Sequence, residues 1–414
     1  MSRRRLGQGD LDMFVAAHER FLEGRTGGRR LVLKFVDLSG LTLAGRILDD
    51  ADFTGSLLES VRMSGARLQR AVLFGCDLRG ADLSDACLRR ADIRGACLQG
   101  ANLSRADLTQ ADFREGAVAI PHETKGFAAA KQENRTSLAD GALFAGATLD
   151  GSLLDGVSAC RADFTDCSMR GARLTGANLK DADLSGAMLQ GADVVGANLT
   201  GARLIGADLS EVAINNARLD RTDMTGCLRS PGADVLERAE TLMEMALDAN
   251  AWAVSGGALG APAVFDGEDL RPLAARLKGL KLPALSARGA CMVGLDLRDV
   301  PMQGANLEKA DLRGADLRGV DLRGARISGA IFTKADLGGA LLGALPLGPS
   351  RSLPVTAVEA RFRYAGLAGA DLSKACLDRA DFSGADLTGA DLEGASLLDA
   401  KLDPGQGQPV AAAA

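Results

Sequence analysis

Histidine is nearly absent: the 414 residues hold two, together with a single Trp and a single Tyr. Imidazole is the commonest general base and metal ligand, so this scarcity disfavours an enzyme before any motif is sought. Scarce aromatics, with 11 Pro against 51 Gly, exclude a bulky mixed core and favour something narrow, repetitive and tightly wound. Basic surplus is missing too. The chain has 48 Lys and Arg against 54 Asp and Glu, net −6, whereas nucleic-acid binders concentrate positive charge. The uncharged apolar stretch between Asp336 and Arg351 is too short to span a bilayer and is broken by Gly, Pro and Ser. No apolar segment of the signal-peptide kind follows the basic start at Arg3, Arg4 and Arg5, and the eight Cys then read as reduced thiols in a cytoplasm.

What is present is a period of five. Ala81-Asp-Leu-Ser-Asp85, Ala91-Asp-Ile-Arg-Gly95, Ala101-Asn-Leu-Ser-Arg105 and Ala106-Asp-Leu-Thr-Gln110 share one plan. A large apolar residue sits at the centre, a small residue two positions earlier, and Asp or Asn between them. Centres run in steps of five from Leu33 to Val118, from Phe144 to Met224, and from about Leu297 to Leu402. On an α-helix five residues advance roughly 140°, which scatters the centres around the surface. On a straight strand an odd step alternates faces. A chain that keeps both apolar positions inside must therefore turn at every repeat, and the frequent Gly two after the centre (Gly95, Gly100, Gly176, Gly186, Gly314) suits such a corner. A chain that turns the same way at each step is a solenoid.

The pattern resembles that of the pentapeptide-repeat family, A(D/N)LxG, over most of the chain. That resemblance implies an all-β fold, a right-handed quadrilateral β-helix with one pentad per side and four per coil, here carrying short α-helical caps and insertions. Residues twenty apart would then stack, placing Phe144 over Phe164 and Phe362 over Phe382, where larger rings would plug the ends of arrays.

Interruptions set the expected organisation. Residues 1–30 form a capping helix and linker, with the helix over 11–23 started by Asp10 and ended by Gly24, and an apolar stripe of Leu11, Phe14, Val15, His18, Phe21 and Leu22. Arrays follow at 31–118 and 142–229, separated by a loop insertion at 119–141 with a helical turn near Gly126–Gln132. A helical insertion or cap occupies 230–276, with a helix over 234–253, Asp234 to Glu237 as a capping-box variant, and Leu236, Ala239, Leu242, Met243, Ala246 and Leu247 on one face. The last array spans 277–403 with a loop at 346–358, before a disordered tail at 404–414. The two helix-plus-array stretches read equally as a duplication or as two capped coils.

Chemistry is sparse. Cys87 and Cys97, two pentads apart, fall on opposite faces of a four-sided coil, as do the repeats holding Cys160 and Cys167, so none pairs around a metal. Cys76 and Cys227 replace Ala at the small inward position. His18 reads as a packing residue and His122 as a loop residue. The Asp residues lie one per side on different faces, whereas calcium needs six or more converging oxygens. Catalytic, cofactor-binding and metal-binding residues are all expected to be none, with no cofactor.

Some members of the family, the fluoroquinolone-resistance proteins, mimic B-form DNA and occupy type II topoisomerases. The columns here are mixed: Arg203 interrupts Asp163, Asp183 and Asp223, Asp296, Asp316 and Asp336 sit beside Arg298 and Arg318, and the face with Arg67, Arg70, Arg89 and Arg90 reads as basic. The favoured expectation is a non-catalytic scaffold or adaptor, a rigid rod meeting protein partners through its sides, the loops and the 230–295 segment. No direct nucleic-acid or membrane contact is expected. DNA-mimicking modulation of a type II topoisomerase is the alternative, and oligomeric state is left open.

Overall fold

The computed structural model describes residues 3–122, 126–348 and 350–403; the expected tail at 404–414 lies outside the described residues. The chain divides into two compact units, Met1–Ser230 and Pro231–Ala414.

In the first unit, parallel bridges join residues twenty apart: Val32 to Asp52, Asp37 to Leu57, Thr42 to Arg62, Ile47 to Arg67, and then Asp52 to Val72. One turn of chain is therefore twenty residues with four bridge positions. Each pentad contributes a single bridging residue instead of an extended strand. The reason is local: between two corners only three residues run straight, and the outer two face inward. Ala81 and Leu83 are buried at 1% and 0% exposure around the outward Asp82, and the same pair recurs down the coil.

The corner is left-handed. Ala101 N–H donates to Leu98 O at 2.9 Å, closing a turn whose third residue, Gly100, has φ +66°. This is the position at which a type II turn requires positive φ. Non-glycine residues accept the same backbone, Arg90 at φ 56° and Asp50 at 62° among them, each at a cost of roughly 1–2 kcal/mol. The corner is thus imposed by the stacking of neighbouring coils, and Gly only eases it.

Interruptions prove to be hairpins. Strands β3 (Gly116–His122) and β4 (Gly126–Arg135) pair antiparallel, Gly116 opposite Arg135. The helical turn expected near Gly126–Gln132 is strand, and His122 lies in β3. Strand pairing satisfies main-chain groups that a loop of this length would leave to water. The coil resumes where Cys97 bridges Leu138, so the hairpin inserts without breaking the winding. In the second unit β5 (Leu345–Gly348) and β6 (Arg351–Leu353) form another hairpin, and Arg326 bridges Thr356 across it.

The second coil begins earlier than 277. Val264 bridges Ser286 and Asp269 bridges Cys291, with a 3₁₀ segment at Arg271–Leu277 inside that first turn. The helical part of 230–276 is confined to α2, Ala233–Val254. Gly24 ends the first helix as expected, at φ 67° with its N–H on Phe21 O and the Arg25 N–H on Arg20 O, but neither helix starts on the expected cap. Helix α1 runs Gln8–Leu22 from an N-cap at Gly7, and α2 starts from Gly232; no side-chain cap bond forms at either, and Asp10 and Asp234 sit in the first turns, favourable there through the helix dipole. Their buried stripes are also narrower than the sequence suggests. Leu11, Val15 and His18 are buried in α1, while Phe14 and Phe21 remain 42% and 44% exposed, because a single row of side chains covers the end of so slender a coil.

The phenylalanines do stack. Phe144 and Phe164 lie 4.7 Å apart at 5°, and Phe362 and Phe382 4.9 Å apart at 6°. Phe332 extends the second stack at 4.9 Å from Phe362, since the ejected hairpin leaves them on consecutive coils. These rings do not plug open ends: all are fully buried inside an array, and Phe113, half a turn earlier, meets Phe144 edge-on at 6.4 Å.

Candidate interaction surfaces

The outward Asp is committed locally. In repeat after repeat its Oδ1 accepts the N–H two residues on, as Asp82 does from Ser84 and Asp163 from Thr165, fixing the approach to the corner. Where Arg stands two residues on, the guanidinium closes a bidentate pair: Arg298 on Asp296 at 2.8 and 2.6 Å, Arg318 on Asp316 at 2.9 and 2.6 Å. Each Arg also reaches the next coil, Arg298 to Asp316 at 3.3 Å and Arg318 to Asp336 at 3.5 Å. Charge therefore alternates up this side. The Arg298 hydrogen bond pulls the Asp296 carboxyl down to about 2.

On the face expected to be basic, three of the four arginines are neutralised. Arg67 pairs with Asp49 at 2.5 Å, Arg70 with Asp50 at 2.6 Å and Arg89 with Asp107 at 3.4 Å, while Arg90 donates to Gln110. The partners lie eighteen or twenty residues away, outside the windows in which the Arg cluster stands out. Towards the end of the second unit, Asp371, Asp386 and Asp391 form no ion pair among the described residues.

Three of the cysteines serve the interior. Cys76, Cys167 and Cys227 sit at the small inward position, each Sγ donating to the carbonyl twenty-three residues earlier: Phe53, Phe144 and Leu204. Ser56 and Thr222 do the same with their hydroxyls. Burial pushes the Cys76 thiol up to about 12, so it is no nucleophile. All eight cysteines are free, and among the described residues no group of three or more His, Cys, Asp or Glu is placed to hold a metal ion. No helix among the described residues is long and apolar enough to cross a membrane.

Departures from the regular coil are where surfaces become individual. Two open pockets flank the base of the β3–β4 hairpin, one of about 380 Å³ with Arg3, Asp77, Cys97 and Arg135, the other of about 540 Å³ with Arg94, Arg114, Glu115 and Asp155. At the other extreme, the start of the first coil is closed by side chains whose role pentad counting does not reveal. The Gln8 amide donates to Thr42 O and accepts Thr42 N–H, both at 2.9 Å. Glu19 accepts Ile47 N–H at 3.3 Å and is held by Arg46 at 3.0 Å. His18 is fully buried, its Nδ1 accepting Leu31 N–H at 3.1 Å and its Nε2 facing Asp49 O at 3.0 Å. It is a hydrogen-bonded strut as well as a packing residue.

That geometry makes the imidazole neutral, with its proton on Nε2, and burial holds its pKa below the ordinary value. In the unfolded chain it titrates near ~6.5. The stabilisation is complete above that pH and declines as pH falls below it, because the unfolded ring takes up a proton that the folded ring refuses. Amide exchange in α1 is therefore expected to slow less between about pH 7.5 and 5.5 than the intrinsic rates do, an excess that reports lost protection. A His18→Gln variant should lack that excess; equal behaviour of the two would remove His18 from the cap.

Windings of twenty residues, stacked in parallel and faced by tethered Asp side chains, define a repeat solenoid. The chain belongs to the pentapeptide repeat family: the family pattern matches eight copies, within residues 37–75, 86–116, 142–181, 177–212, 195–228, 301–339 and 365–403, more than half of the sequence. No curated protein matches it. Among solved structures, HetL, a pentapeptide repeat protein involved in heterocyst differentiation regulation in the cyanobacterium Nostoc sp. strain PCC 7120, is 20% identical, with 92% of this chain and 93% of HetL covered and a TM-score of 0.15. QnrB1, a plasmid-mediated fluoroquinolone resistance protein, is 19% identical over 52% of this chain and 94% of its own, with a TM-score of 0.29. A pentapeptide repeat protein of the Arabidopsis thaliana thylakoid lumen is 30% identical over 34% of this chain and 70% of its own, with a TM-score of 0.15.

Proposed function

We propose that this chain is a non-catalytic scaffold that holds protein partners against the outside of right-handed, four-sided β-helical coils. Four bridge positions in each twenty-residue turn support the four sides. The observation that carries the functional reading is the pairing of outward Asp with Arg along the coil, as at Asp296, Arg298, Asp316 and Arg318, which leaves flat, locally neutral faces suited to protein contact and unsuited to a long-range field. Specific recognition falls to the projecting segments, chiefly the β3–β4 hairpin with its flanking pockets.

Removing residues 116–136 tests this. The deletion reduces the Cys97-to-Leu138 spacing to that of an ordinary turn, so the coil should close with a stability change under about 1 kcal/mol. Affinity purification from the source cell should then lose a partner that the full chain retains. A deletion variant that melts far lower would make the hairpin structural, and unchanged capture would move recognition elsewhere.

The unpaired acids Asp371, Asp386 and Asp391 favour a second reading, modulation of a type II topoisomerase by DNA mimicry. Purified protein at micromolar concentration in a gyrase supercoiling assay decides it: inhibition, or protection from a fluoroquinolone, supports the reading, and no effect retires it.

A further inference from the structure

A coil has a first edge, and its main-chain groups need partners. Deeper in the array, the outward residue of each side bonds backwards: Asp52 N–H donates to Leu31 O and Asp52 O accepts from Leu33 N–H. On the first turn the corresponding residues are Val32, Asp37, Thr42 and Ile47, with no coil behind them. Strand β1 (Arg4–Arg5) serves Asp37, pairing in parallel with β2 (Val36–Asp37), and Leu6 N–H adds a bond to Asp37 O at 3.1 Å. The Gln8 amide imitates a strand at Thr42, and the Glu19 carboxylate takes the Ile47 N–H. Val32 has nothing comparable. Among the described residues neither its N–H nor its C=O finds a hydrogen-bond partner, and the residue is 51% exposed.

Beside this open position lies a pocket of about 590 Å³, lined by Leu6, Phe14 and Val36 and rimmed by cations. Two of those cations are engaged: Lys34 with Asp52 at 2.9 Å, and Arg30 with the Asp50 carbonyl at 2.7 Å. Arg4 and Arg29, also in the rim, form no ion pair among the described residues.

We propose that this side of the first coil binds an extended, acidic segment of a partner protein by strand addition. Val32 supplies one donor and one acceptor to the incoming main chain, an apolar side chain of the segment enters the pocket, and its carboxylates meet Arg4 and Arg29. An exposed donor and acceptor on one residue match a peptide backbone, and two free cations are too few for a nucleic-acid track. The inference rests on the scaffold reading and names the chemistry of one partner.

The probe is a fluorescein-labelled, capped octapeptide of alternating Glu and Val, titrated with the full chain and followed by anisotropy. Saturable binding is expected, weakened about tenfold or more by Arg4→Glu with Arg29→Glu. Val32→Pro should abolish it. That substitution removes an N–H that bonds nothing in the free chain, while the bonds of Leu31 and Leu33 to Asp52 remain, so the melting curve should be unchanged. The same peptide N-methylated at its central Val should fail against the unaltered protein, a control independent of any variant's folding. Equal binding of a Lys–Val peptide, equal binding of the N-methylated peptide, no saturable binding, or Arg29-dependent binding of a short DNA duplex in place of the peptide would each overturn the proposal. Loss of the peptide result with partner capture through the hairpin intact would sink this edge and leave the scaffold standing.

Discussion

Alanine in place of Phe164 is expected to destabilise the first unit by about 3–5 kcal/mol, the range for deleting a buried ring. The ring stacks face-on upon Phe144 at 4.7 Å, and both are fully buried. Collapse around the missing ring is opposed by the backbone, because Phe164 N–H is bonded to Asp183 O at 2.7 Å and Phe144 N–H to Asp163 O at 2.7 Å. The cavity therefore persists, and cavities that persist cost most. Thermal unfolding by circular dichroism checks it. Phe164→Leu, which refills part of the space, should recover a good part of the loss; an alanine variant that melts with the parent would mean the interior is not packed as described.

A larger effect is expected one position apart in sequence. Leu184 is 1% exposed, while its neighbour Asp183 faces outward, accepting Ser185 N–H at 2.9 Å and pairing with Arg203 at 3.2 Å. Leu184→Asp places a carboxyl in the apolar interior, in the column between Phe164 on the coil before and Leu204 on the coil after. The uncompensated group costs upwards of about 3–5 kcal/mol, and the stacked coils on either side lose a partner as well. Asp183→Ala should cost under about 1 kcal/mol, because an exposed ion pair contributes little. Soluble yield and melting of the two variants side by side give the comparison. Similar behaviour of both would contradict the assignment of one residue inward and the next outward.

Much of this arrangement was legible from spacing alone, and the reason is physical. Ala81, Leu83 and Asp82 must obey one local rule, inward, inward and outward, so five-residue counting recovers a chain that turns at every repeat; the twenty-residue turn, and with it the Phe144–Phe164 stack, came from the family resemblance. What failed was everything set by a length or by an end. The step from Phe113 to Phe144 showed that something intervened, yet nothing in the period distinguishes a loop from the antiparallel pairing of Gly116 with Arg135. Pro346 and Pro354 suggested a loop where β5 and β6 pair, and the 3₁₀ segment at Arg271–Leu277 hid the first turn of the second coil behind an irregular spacing. The cap residues were hidden for a different reason. Gln8 and Glu19 act on Thr42 and Ile47, 34 and 28 residues away, and they follow helical phase, not pentad phase. Counting the main-chain groups that a first coil must satisfy would have pointed to them. The neutral outer faces were half visible: the Asp–Arg alternation of 311–323 stands in the sequence, but the pairings of Arg67, Arg70 and Arg89 cross from coil to coil.

The central claim is that one turn of the chain takes twenty residues and stacks in parallel on the last. Leu143, Asp163, Asp183, Arg203 and Asp223 bridge in succession, four inter-strand steps that place the first and last Cα atoms about 19 Å apart. Nitroxides attached through ketone-bearing amino acids at 143 and 223, which spare the native thiols, make that separation measurable by pulsed electron paramagnetic resonance. A narrow distribution near 20 Å, within the reach of the label arms, is the predicted result. A broad distribution, or one centred far beyond that distance, would contradict the winding and everything built on it.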